Sequence, residues 1–268
     1  MAVLAPEMSR AEAGGVSIEL SERGKGRPIL FLHPGHPVGR VDPKAHVLDL
    51  LAQNARVIAP THPGFGMEAA PPSLTTVDDL AYLYLDLVEA MDLRNCVVVG
   101  VSFGGWIAAE MAVKTTERIS HLVLADAVGI KEKDRETRDI ADIYAVTDKQ
   151  LAELVYADPA RMTRDAKTLP EAELTMMARS RESTGRYGWT PYMHDPKLKG
   201  RLHRINIPTL VLWGEADRVV APDYGRAYAA AIAGARFATI GGAGHFPHLE
   251  QPDAFARHVL DFVEEARR

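Results

Sequence analysis

The chain has 268 residues, 47% hydrophobic and 25% charged, with a net charge of −5. That size and balance fit one large soluble α/β domain with room for an insertion, and the acidic excess argues against nucleic acid or an anionic membrane surface as partner. Cys96 is the only cysteine, so no intrachain disulfide can form. No apolar run approaches the ~18 residues that span a bilayer, and Met1 to Glu7 lack the basic-then-apolar pattern of a signal peptide. The expectation is a cytoplasmic protein.

Residues 1 to about 15 are small, polar and glycine-ended, and read as frayed. Val16 to Leu20 alternates apolar and polar residues as an edge strand does, and Gly24-Lys25-Gly26 turns the chain. Pro28 to Leu32 is apolar throughout, as in a strand buried on both faces, and it empties into the irregular loop His33-Pro34-Gly35-His36-Pro37-Val38-Gly39. A short helix is predicted over 43–51 and a strand over 56–60, the latter running into Thr61-His62-Pro63-Gly64-Phe65-Gly66. Thr75 and Asp78 have the spacing of a capping box, and Leu80, Leu83, Tyr84, Leu87, Val88 and Met91 mark the inner face of the helix that follows.

Val97-Val98-Val99-Gly100 then leads through Val101-Ser102-Phe103-Gly104-Gly105-Trp106 into the helix-like Ile107 to Ala112. His121 to Asp126 reads as another buried strand. From Gly129 to about Arg204 the strand rhythm stops, prolines interrupt repeatedly, and a mainly helical insertion is predicted, its charged run Lys131 to Asp139 forming a solvated helix face. Strands return at 209–214 and 236–240, with helices from about Pro222 and Pro252. Strands alternating with helices imply a mostly parallel sheet covered on both faces.

A strand, then Gly-x-Ser-x-Gly, then a helix is the setting of a nucleophile elbow, in which Ser102 Oγ stands at the carboxyl edge of the sheet above a helix amino end. A serine hydroxyl needs a base, and the base needs an orienting carboxylate, on loops after later strands in the order serine, acid, histidine. His245, in the loop Gly241 to His245 after the last strand, occupies the base position; Asp217, after the penultimate strand, occupies the acid position. Asp126 and Glu215 are the rival acids, with Asp126 read mainly as a cap for the start of the insertion. The Phe103 N–H is one oxyanion donor; Pro34 has none, which leaves Gly35 or His36 as the other, with Gly35 favoured. Trp106, Met176, Met177, Trp189 and Phe246 are candidate pocket residues. No metal-ligand spacing stands out, since His33 and His36 lie in a proline-broken loop near only Asp42.

Together Gly100-Val101-Ser102-Phe103-Gly104-Gly105, His33-Pro34-Gly35, Pro63-Gly64-Phe65-Gly66, Trp213-Gly214-Glu215-Ala216-Asp217 and Gly244-His245 resemble the α/β-hydrolase superfamily in family order over nearly the whole chain. The resemblance implies an eight-stranded sheet built from 1–128 and 205–268, a helical cap at 129–204, a Ser102–Asp217–His245 triad, and no cofactor. The chain looks most like the capped esterase and carbon–carbon-bond hydrolase branch. Hydrolases of the meta-cleavage type commonly place tryptophan after the catalytic histidine, where this chain has Phe246. They also use a basic cap residue to hold a carboxylate, for which Arg179, Arg181 and Arg186 are available. The expected activity is hydrolysis of small to medium, mainly apolar carboxylic esters through an acyl-enzyme on Ser102. The alternatives are carbon–carbon cleavage of dienoic keto acids, and ligand binding without turnover.

Overall fold

The computed structural model describes residues 6–38, 45–134, 136–162 and 168–265. Its centre is an eight-stranded sheet in the order β1-β2-β4-β3-β5-β6-β7-β8. The strands are β1 (Glu7–Ala13), β2 (Val16–Gly24), β3 (Pro28–Leu32), β4 (Arg56–Pro60), β5 (Cys96–Val101), β6 (Ile119–Ala125), β7 (Thr209–Gly214) and β8 (Arg236–Ile240). From β3 to β8 every pairing is parallel, whereas β1 and β2 run antiparallel to their neighbours. Every residue of β5 and β7 is buried, which is why their sequences are unbroken apolar runs rather than alternating ones.

Helices α1 (His46–Ala52), α2 (Val77–Ala90), α3 (Phe103–Lys114), α7 (Pro222–Ala230) and α9 (Pro252–Glu265) cover the sheet, α2 packing on α3 and α1 on α9. Parallel strands put all their carboxyl ends on one edge, and ligands gather at that edge in such sheets. The loops after β3, β5, β7 and β8 therefore meet. Between β6 and β7 lie α4 (Asp148–Val155), a 3₁₀ turn over Pro159–Met162, α5 (Glu171–Gly188) and the short α6 (Leu198–Arg201). The four-residue α8 (Pro247–Glu250) follows the last loop. Among the described residues, no helix is long and apolar enough to cross a membrane.

Four local expectations change. The segment expected to fray contains β1, which pairs with β2 from Glu7↔Glu22 to Ala13↔Val16 around a Gly14-Gly15 turn with positive φ at both glycines. As an edge strand with most side chains in solvent it has no apolar alternation to read, and β2 moves one place inward. The capping box is Thr76 with Asp79, one residue later than expected. Asp79 also accepts the N–H of Thr75. The described residues of the charged run 131–139 form no helix: Asp139 accepts the N–H groups of Glu132 and Lys133, and Asp134 accepts those of Glu136 and Thr137. Carboxylates that close local turns draw the backbone away from helix. Asp126 does not cap the insertion but faces the end of β7, as described below.

Candidate active site

Ser102 sits between β5 and α3 with φ 52 and ψ −112, a conformation that costs a non-glycine residue roughly 1–3 kcal/mol and that the surrounding packing must enforce. The packing leaves no room for side chains at the flanking glycines. A Cβ on Gly100 would lie 2.3 Å from the Gly104 carbonyl oxygen, and one on Gly104 would lie 2.2 Å from that of Leu32. Strand and helix therefore approach closely enough to push the serine hydroxyl up into the loop layer.

Three loops bring the partners together. Ser102 Oγ lies 2.7 Å from His245 Nε2, and His245 Nδ1 lies 2.7 Å from Asp217 Oδ2. All three residues are buried. Asp217 Oδ1 accepts the N–H groups of Val219 and Val220 at 2.8 and 3.1 Å, which fixes the carboxylate. The loop carrying the histidine is held as firmly: His245 N–H donates to the Val155 carbonyl, and the Gly244 N–H donates to the buried Glu250 carboxylate. Glu250 also accepts the N–H groups of Ala157 and Asp158. The base and the inserted segment are thus tied to one carboxylate. With the proton on Nδ1 facing Asp217, Nε2 is free to accept from Ser102, as general-base activation requires.

The N–H groups of Phe103 and Gly35 have no hydrogen-bond partner among the described residues, and both residues line the cavity beside Ser102. His36 does not share that position, because its N–H donates to Thr184 Oγ1 at 2.8 Å. The reason Gly35 is held in place lies beneath it. His33 Nε2 accepts the His62 N–H, so its Nδ1 proton donates to the Pro34 carbonyl at 2.7 Å. His62 Nε2 donates to the His33 carbonyl and its Nδ1 accepts from the Tyr84 hydroxyl. This arrangement needs neutral rings, and burial followed by the proximity of His33 holds His62 well below the usual imidazole range. Neither His62 nor Tyr84 carries a sequence signal for this role, since their contacts cross 29 and 22 residues of chain.

A second carboxyl group adjoins the triad. Asp126, fully buried at φ 46, accepts the Gly214 N–H through Oδ1 at 2.8 Å, while Oδ2 has no hydrogen-bond partner among the described residues. Ligand-bearing atoms of Asp126, Asp217 and His245 all lie within 4.8 Å of one another. Burial, and then the charge on Asp217, push Asp126 well above the usual carboxylate range. Asp217 takes three donors and Asp126 one, so the proton rests on Asp126.

The cavity above Ser102 is narrow, with a volume of ≈ 20 Å³, and is walled mainly by Val128, Ile140, Ile143, Met193 and Val219. None of the five expected pocket residues lines it. Trp106 packs edge-on against Phe103 and points its indole N–H to Glu110. Phe246 is buried behind His245 between Tyr156 and His248. Met176 is half-buried and Met177 is exposed on α5. Trp189 lies in solvent against Tyr144 and Tyr192. Bulk alone marked these residues; the actual walls are branched aliphatics contributed by loops. Of the three arginines, Arg186 donates to the carbonyls of Leu74, Pro71 and Pro72. Arg181 instead lies over the Tyr144 ring at 4.7 Å, with Nη1 3.3 Å from Nε2 of the cavity-lining His36. It forms no salt bridge among the described residues. His36 is lowered to about 4 by burial and then by Arg181, so it is neutral at physiological pH and can accept that contact.

A parallel sheet with a serine elbow, a histidine–carboxylate pair and two free N–H groups at one edge defines a hydrolase of the α/β type. Residues 29–258 match the family described as "Alpha/beta hydrolase family", and the chain belongs to it. Among its curated relatives, it is 28% identical over 262 residues to a 2-hydroxy-6-oxo-6-(2'-aminophenyl)hexa-2,4-dienoic acid hydrolase of Metapseudomonas resinovorans, covering 94% of this chain and 89% of the relative. It is 27% identical over 284 residues to a 2-hydroxymuconate semialdehyde hydrolase of Pseudomonas sp. strain CF600, covering 97% and 95%. Among solved structures it resembles a meta-cleavage product hydrolase from Pseudomonas fluorescens IP01, with TM-score 0.77, 22% identity, and 96% and 98% of the two chains covered. A thermophilic esterase from Thermogutta terrifontis gives TM-score 0.72 at 22% identity, over 98% and 100%. At that identity both structures speak for the fold.

Proposed function

We propose that this protein is a serine hydrolase of the carbon–carbon-bond type, acting on a 6-oxo-dienoic acid whose 6-oxo carbonyl sits over Ser102. The observation that carries this reading is Arg181, an exposed guanidinium on α5 whose Nη1 lies 3.3 Å from Nε2 of the cavity-lining His36 and which has no carboxylate partner among the described residues. A mainly apolar cavity with a cation next to one of its lining residues suits an acid with a hydrophobic body. The relatives named above act on compounds of that shape, and the buried branched walls suit a flat unsaturated chain.

In this reading Ser102 attacks the carbonyl carbon and its proton passes to His245. The oxyanion is held by the Phe103 and Gly35 N–H groups. Carbon is a leaving group only when its electrons are delocalised, so the substrate must first shift its 2-hydroxy dienoate to the 2-oxo form. The bond then breaks with the electron pair entering the 2-oxo system, and the resulting dienolate oxygen takes the proton from the imidazolium of His245, leaving as a 2-hydroxy dienoate. Water, activated by the same histidine, releases the acyl group as a carboxylic acid. The inserted segment 129–204 acts as the cap over this chemistry.

Ester hydrolysis is the second reading, because the serine, base and oxyanion donors suffice for it and Phe246 stands where meta-cleavage enzymes commonly have tryptophan. Wild type and Arg181→Gln are to be assayed on a coloured 2-hydroxy-6-oxo-dienoate, followed by loss of its visible absorbance, and on neutral p-nitrophenyl esters. We expect kcat/KM to favour the keto acid, with KM for it rising roughly 10-fold or more in Arg181→Gln and ester kinetics unchanged, as loss of one charged contact implies. Efficient ester turnover with no keto-acid cleavage assigns the second reading.

A further inference from the structure

The α5 face that meets the catalytic loops is polar, and each of its hydrogen bonds has a different target. Ser180, Ser183, Thr184 and Tyr187, at spacing i, i+3, i+4 and i+7, are all buried. Ser183 Oγ donates to the Gly64 carbonyl at 2.8 Å, and the Tyr187 hydroxyl donates to the Pro63 carbonyl at 3.0 Å. Both anchor α5 to the loop after β4. Of these four, Thr184 reaches the backbone of the loop after β3, where the exposed Arg181 touches only the His36 ring. Its Oγ1 accepts the His36 N–H at 2.8 Å and donates its own proton to the Ser180 carbonyl at 2.7 Å, so the rotor is fixed by its own helix. The adjoining Gly35 is wedged between Thr184 and the elbow: a Cβ there would lie 2.9 Å from Thr184 Oγ1 and 3.3 Å from Phe103 Cβ.

We infer that Thr184 is a positioning residue for the oxyanion hole, a hydroxyl of the inserted segment that fixes where the Gly35 N–H points by holding the next N–H along the chain. Rotating the Gly35–His36 stretch would turn the Gly35 N–H away from the oxyanion, and the His36 N–H is the group that α5 grips. The hole is therefore complete only while α5 is docked. Catalytic competence is linked to cap position through this one hydroxyl, and the two neighbouring anchors supply docking without touching the hole. The inference rests on the serine-nucleophile reading given above.

The test uses a fluorophosphonate, whose P=O occupies the oxyanion hole as Ser102 is phosphonylated. Four proteins are compared: wild type, Thr184→Val, which keeps the shape but removes the acceptor, Thr184→Ser, which restores it, and Ser183→Ala, which removes the neighbouring anchor. We expect Thr184→Val to be phosphonylated roughly 10- to 100-fold more slowly than wild type, with Thr184→Ser recovering most of the loss and Ser183→Ala close to wild type. Thermal melts run alongside report docking strength, and Thr184→Val and Ser183→Ala should fall by similar amounts there. Equal rates for Thr184→Val and wild type, or equal slowing in Ser183→Ala, overturn the inference. If wild type itself is not phosphonylated, the serine-nucleophile reading fails and the inference with it.

Discussion

Replacing Asp126 by Asn should stabilise this protein, and by an amount that grows with pH. In the folded chain Asp126 carries a proton, because it is fully buried, receives one N–H, and lies beside Asp217, which receives three donors. In the unfolded chain its carboxyl group ionises near the ordinary aspartate value of about 4. The folded pKa is raised, so the folded state binds one more proton than the unfolded state between the two values. Stability therefore falls as pH rises through that window, by about 1.4 kcal/mol per pH unit for one proton. Asn cannot ionise, matches the carboxyl in shape, and keeps an oxygen to accept the Gly214 N–H. The difference in unfolding free energy between Asp126→Asn and wild type should thus widen as pH rises above about 4, by at most about 1.4 kcal/mol per unit, until the folded carboxyl itself ionises. Urea unfolding at three pH values, read by tryptophan fluorescence with Trp213 buried in β7, measures it. Parallel stability curves for the two proteins would refute a protonated Asp126. So would a variant that is less stable at every pH.

Three further outcomes follow from the geometry. Asp217→Asn should keep the fold but lower kcat by roughly 10³- to 10⁴-fold, because the amide offers a donor where His245 Nδ1 needs an acceptor; steady-state kinetics with a matching circular dichroism spectrum check this. Gly104→Ala should fail to accumulate as folded protein, since its Cβ would stand 2.2 Å from the Leu32 carbonyl oxygen, and soluble yield against Gly200→Ala, where nothing lies within 4 Å, reports it. Glu250→Ala should cost roughly 2–4 kcal/mol in urea unfolding and reduce kcat as well, because it strands the Gly244 and Ala157 N–H groups that set the His245 loop.

The parts of this fold that were legible in the sequence share one physical trait. Strands β3 to β7 are buried on both faces, so their composition announces them. The elbow, the acid loop and the histidine loop sit where each strand ends, so order along the chain locates Ser102, Asp217 and His245 in space. Legibility failed where a side chain's partner lies far along the chain. β1 is held by backbone bonding to β2 and leaves no apolar trace. Asp126 looks like a local cap until β6 and β7 are paired, which brings it to Gly214. The choice between Gly35 and His36 turns on Thr184, 148 residues beyond His36. The cavity walls come from loops with no periodicity, whereas the large aromatics that attracted attention serve as packing or stand in solvent. On α5, Ser180, Ser183, Thr184 and Tyr187 lie on one face by spacing, but polar residues at helical period read as a solvated face until their acceptors are known.

The account stands on Ser102 as a nucleophile activated by His245. Its most direct test is mass spectrometry of the peptide containing Gly100 to Gly105 after exposure to a fluorophosphonate, in wild type, Ser102→Ala and His245→Ala. One adduct per chain on Ser102 is expected in wild type, none in Ser102→Ala, and labelling slowed by orders of magnitude in His245→Ala. An adduct elsewhere in the chain, or undiminished substrate turnover by Ser102→Ala, contradicts it.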